Sequence, residues 1–93
     1  MKDINQLANM LKKSREKSGF TQAEVAKSLG YSTAQFVSNW ERGLSYPPLK
    51  SLRTLSKMYD VNMDSLFNTI LGISIYMTEQ SLRREYRSLK KRA

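Results

Sequence analysis

The residues of this sequence best suited to recognition chemistry lie in the stretch QFVSNWER at positions 35–42. Read as a helix, with successive side chains turned by about 100°, Val37 and Trp40 define an apolar direction, and Gln35, Ser38, Asn39 and Arg42 point away from it. Phe36 falls on the shoulder. The free face therefore offers short or planar hydrogen-bonding groups closed by a cation. A Gln or Asn amide presents a donor and an acceptor together, the pairing that an adenine edge requires in the major groove. Solvated helix faces are usually rich in Lys and Glu, whereas Ser, Asn, Thr and Phe are indifferent helix formers. A helix that gives up propensity on its exposed face is better explained as reading something. For Gln35 a second role is open: as the third helical residue after a Ser32 cap it would fold back onto the backbone.

Composition narrows the chemistry further. The chain has 93 residues with no Cys and no His, so disulfides, thiol nucleophiles and imidazole or thiolate metal ligands are excluded. Its eight carboxylates are scattered, with no pair placed for a metal, so neither catalysis nor a cofactor is expected. The N-terminus MKDINQLANMLKK carries charges every few residues, unlike a secretory signal, and the longest apolar run, ILGISIYM at 70–77, is too short to span a bilayer. A cytoplasmic, nucleoid-associated protein is expected. The net charge of +8 points to a polyanionic partner. Half of that excess sits in residues 78–93, where six Lys/Arg face two Asp/Glu.

Helical periodicity accounts for every regular segment, which makes the fold class all-α: five helices plus a further C-terminal helix. Apolar residues at 4, 7, 10 and 11, with Asp3 as cap, predict a first helix over 4–17. Thr21-x-x-Glu24 is a capping box that opens a second helix. Phe20 and Val25 stand at the positions of a hydrophobic staple, Val25, Ala26 and Leu29 form its buried stripe, and Gly30 ends it. The third helix is expected over 34–42 after a Ser32 or Thr33 cap and stops at Gly43. Pro48 suits the first turn of a fourth over 48–58, with Leu52, Leu55 and Tyr59 inward. Asn62 caps a fifth over 63–71, with Leu66, Phe67, Ile70 and Leu71 inward. These elements divide the chain into a domain over 1–72 and a basic amphipathic tail over 73–93.

TQAEVAKSLG followed by VSNWERG resembles the phage-repressor/Cro type of helix-turn-helix, also called the xenobiotic-response-element family. The matching features are Gln22 opening the second helix, Ala26 at the crossing, Gly30 in the turn, Val37 and Trp40 buried, and Glu41-Arg42-Gly43 closing. YPPLKSLRTLSKMYDVNMDSLF resembles that family's fourth and fifth helices, so the likeness covers about residues 4–71. It implies a lambda-repressor-like fold that binds double-stranded operator DNA as a homodimer, the second motif helix in the major groove. On that resemblance Thr33, Gln35, Phe36, Ser38 and Asn39 are the candidate base readers. Thr21, Gln22, Arg42 and Ser45 are the candidate phosphate contacts, and Arg15 with Glu41 an ion pair. One departure stands out: six residues separate Gly30 from Val37 where the commoner pattern has five, leaving open which of Ser32, Thr33, Ala34 and Phe36 comes nearest the bases.

Beyond Gly72 the family pattern gives out. Thr78 is placed to cap a last helix in which Leu82, Tyr86 and Leu89 share one face, joined by Ile75 if the helix starts earlier. That stripe suits packing against the domain or a second copy, as a dimerisation surface. A frayed charged terminus and direct phosphate contact are the other readings. Three apolar anchors are few for a membrane surface. The function expected is a transcriptional regulator, a repressor acting on a palindromic operator. The rival is an antitoxin-like or assembly protein that holds a protein partner through the tail.

Overall fold

The computed structural model describes residues 3–92, which form α1 (Ile4–Lys17), α2 (Gln22–Ser28), α3 (Gln35–Glu41), a 3₁₀ turn (Leu49–Ser51), α4 (Leu52–Tyr59) and α5 (Met63–Arg92). Local chemistry fixes most of the helix starts. Asp3 accepts from the Gln6 amide at 2.9 Å, and Asn62 accepts from the Ser65 amide at 2.9 Å. The α2 capping box is complete: Thr21 Oγ1 accepts from the Glu24 amide at 3.0 Å, and Glu24 Oε1 accepts from the Thr21 amide at 2.8 Å. Those bonds, the backbone one first, hold the Glu24 carboxyl below its ordinary pKa.

Helices this short do not persist alone, so the core must hold them. Leu7, Leu11, Val25, Val37, Trp40, Leu52, Leu55, Tyr59, Leu66, Ile70 and Ile73 close around one another, with Ile4, Met10, Phe20 and Leu29 packed on the periphery. α3 rests on α1 and α2, while α5 rests on α4 and α1. Gly43 ends the α3 turn at φ +74°, and a Cβ there would meet Asn5 Oδ1 at 2.6 Å. That backbone conformation favours glycine, and any larger residue would also have to displace the Asn5 side chain.

The C-terminal half departs from expectation. No break follows residue 71, and α5 runs unbroken for 30 residues, with Gly72 inside it. A mid-helix glycine costs about 1 kcal/mol against alanine, but burying a neighbour such as Ile73 returns about 1.5–3 kcal/mol. The expected division at residue 72 therefore falls within a single helix. Phe67 and Leu71 are also not inward: they are 38% and 43% exposed. The buried stripe of α5 is Leu66, Ile70 and Ile73, and each of the other two lies one residue, hence about 100°, further round.

Candidate nucleic-acid interface

α3 is only seven residues long, and its two apolar side chains are committed inward, Val37 at 0% and Trp40 at 3% exposure. Its opposite edge is open. Gln35, Phe36 and Arg42 are exposed, and Ser38 and Asn39 half-buried. The helix ends one residue earlier than expected, with Arg42 as its C-cap, its amide still bonded to the Ser38 carbonyl at 3.0 Å.

Of the six residues between Gly30 and Val37, four precede α3, which opens at Gln35. Ser32, Thr33 and Ala34 form a bend, and Ala34 rather than Ser32 or Thr33 takes the cap position. Thr33 Oγ1 instead accepts from the Gln35 amide at 3.3 Å, the local turn chemistry that short hydroxyl residues favour. The bend also sets Tyr31 against Phe36, ring centroids 4.8 Å apart, and edge-on to Trp40 at 6.1 Å. Phe36 is thereby braced yet keeps 53% of its surface free. Tyr31 escaped the reading of the sequence because the spacing 31, 36 and 40 spans a turn and has no helical period.

The polar edge is internally wired. Asn39 Oδ1 accepts from Gln35 Nε2 at 2.9 Å and from Arg42 Nη2 at 2.7 Å. Gln35 does not fold back onto its own backbone. In this arrangement Asn39 offers only its two Nδ2–H donors, while Gln35 keeps a free acceptor and one free N–H.

Behind the edge, Arg15 Nε donates to Glu41 Oε2 at 2.7 Å and Arg15 Nη2 to Glu41 Oε1 at 3.0 Å, a bidentate pair. Arg15 Nη1 also donates to the Phe20 carbonyl at 2.8 Å, tying in the α1–α2 loop. The hydrogen bond to Glu41 raises the Arg15 pKa further, and burial pushes the phenol of Tyr59 up. Gln22 Nε2 joins the same carboxylate at 2.9 Å, and the residue is half-buried. Thr21 is exposed and Ser45 half-buried.

The tail residues stand apart from all this. Ile75, Leu82, Tyr86 and Leu89 are each at least 60% exposed, so the stripe does not pack against the domain. In the structure α5 is helical as far as Arg92.

Comparison with known proteins gives this arrangement a family. The HTH_3 helix-turn-helix family matches residues 11–66, from within α1 to the start of α5. The chain is 33% identical over 69 residues to the HTH-type transcriptional activator BcrR of Enterococcus faecalis, covering 74% of this chain and 33% of that protein. It is 38% identical over 60 residues to the HTH-type transcriptional regulator ImmR of Bacillus subtilis (strain 168), covering 64% of this chain and 46% of that one. The chain thus spans less than half the length of either relative. No solved structure gives a significant match. With more than half of its length matched, and the motif helices placed as described, the chain belongs to the Cro/C1-type helix-turn-helix family.

Proposed function

We propose that this protein is a sequence-specific DNA-binding transcriptional regulator, a repressor that binds a palindromic operator as a homodimer. The observation that carries the reading is the open polar edge of α3, with Gln35 and Asn39 presented outward while Val37 and Trp40 anchor the helix from behind. Gln35, Ser38 and Asn39, with Phe36 and Thr33 beside them, select bases. Thr21, Gln22, Arg42 and Ser45 hold the phosphates on either side, which sets position without adding selectivity. Repression needs only that the domain occupy its site. A protein acting on chromosomal DNA works in the cytoplasm, at the nucleoid, and no helix among the described residues is long and apolar enough to cross a membrane. The net charge of +8 supports the choice of a polyanion.

Selection of binding sites from random DNA tests the proposal. A symmetric motif with half-site centres about 34–36 Å apart is the expected result, and recovery of no motif contradicts it. The protein-partner reading draws on a different observation, the uncovered apolar stripe of α5. A tail that binds a protein other than itself, in a chain that selects no DNA motif, would favour it.

A further inference from the structure

The apolar stripe on α5 is longer and more regular than its tail residues alone suggest. Ile75, Leu82 and Leu89 recur at intervals of seven, all exposed on a helix that projects beyond the body. A strict seven-residue repeat is the spacing at which two helices can stay in contact by supercoiling, because 3.5 residues per turn keeps the seam facing its partner. With these three at the d positions, the a positions fall at Gly72, Glu79 and Tyr86. Tyr86 is the one large apolar side chain among those a positions, so the seam is narrow and fits a pair of helices rather than a larger bundle.

Charge then decides the direction of pairing. The flanking e positions carry Arg83 and Lys90, and Glu85 stands at g. An antiparallel pair would set e against e and bring these cations together. A parallel pair sets g against the e of the next heptad, which brings Glu85 to Lys90 of the partner subunit, twice by symmetry. We propose that α5 from Gly72 to Lys90 pairs in parallel with the same segment of a second copy, as a short two-stranded coiled coil whose register is set by Glu85 and Lys90.

This rests on the homodimer reading and deepens it. Parallel stems place both bodies at the same end, so two α3 edges address one duplex about a shared two-fold axis. Glu79 limits the strength of the pair: it faces its twin at an a position, offset within its own helix by Arg83 at 2.8 Å.

Sedimentation of the full chain and of variants measures the pairing. Leu82→Glu, which lies outside the body core, weakens self-association at least about tenfold, and Glu79→Leu tightens it several-fold. Glu85→Lys and Lys90→Glu each weaken it, and the double reversal restores it. Because the chain has no cysteine, orientation is read from single additions: Leu89→Cys oxidises to a cross-linked dimer if the stems run parallel. A wild-type chain that stays monomeric, a dimer indifferent to Leu82→Glu, or cross-linking through Leu82→Cys but not Leu89→Cys overturns the proposal. Site selection judges the DNA-binding reading separately, and a selected palindrome would leave that reading standing in each of these cases.

Discussion

Arg15 and Glu41, separated by 26 positions in the chain, meet in two hydrogen bonds of 2.7 and 3.0 Å with the Glu41 side chain only 3% exposed. One carboxylate thus ties the last residue of α3 to α1 and, through Gln22, to the first residue of α2. A pair so well shielded adds little net energy over an apolar substitute, yet removing one partner strands the other charge. Glu41→Ala is expected to cost about 3–5 kcal/mol in urea unfolding. A loss below about 1 kcal/mol would show that water reaches Arg15 freely. The double variant Arg15→Met, Glu41→Leu should recover much of the loss.

Arg42 caps α3 and reaches Asn39, so its charge lies at the rim of the polar edge. Arg42→Ala should weaken binding to all DNA sequences alike and reduce the slope of log K against log salt by about 1. An unchanged slope would remove it from the phosphate contacts.

Asn39 has its oxygen engaged by both Gln35 and Arg42, which leaves two donors and no acceptor for DNA. Adenine needs both kinds of group, whereas guanine presents two acceptors, O6 and N7. The base whose preference is lost in Asn39→Ala should therefore be guanine. Adenine at that position would mean that the wiring reorganises on binding.

Glu24 makes a distinct pH prediction. Its folded-state pKa lies below the ordinary value of 4.5, so the stability it contributes is present above that value and lost as the pH falls through the folded one. The difference in melting temperature between wild type and Glu24→Gln should be constant near neutrality and shrink in acid. A difference that grows in acid would contradict the capping role.

How far the sequence carried the fold depends on where local chemistry dominated. Asp3, the Thr21–Glu24 box and Asn62 placed three helix starts because each cap is a contact within three residues. The run through Gly72 was not legible, since what overrides that glycine is the burial of Ile73 in the shared core, a tertiary effect. The same tertiary choice turned Phe67 and Leu71 outward. In the candidate interface, the inward placing of Val37 and Trp40 made the open side of α3 legible, where Gln35 and Arg42 are exposed and Ser38 and Asn39 half-buried. The bond from Gln35 to Asn39, the seating of Gln22 on Glu41 and the Tyr31–Phe36 contact depend on rotamers and on a bend, neither of which periodicity encodes.

The amide-bearing edge of α3 is proposed to read bases. The most direct measurement is the affinity of Gln35→Ala and Asn39→Ala for the selected site and for random DNA, with selection repeated on each variant. Each substitution should cost about 1–3 kcal/mol on the selected site, little on random DNA, and relax one position per half-site. Equal losses on both DNAs, with the motif unchanged, would contradict it.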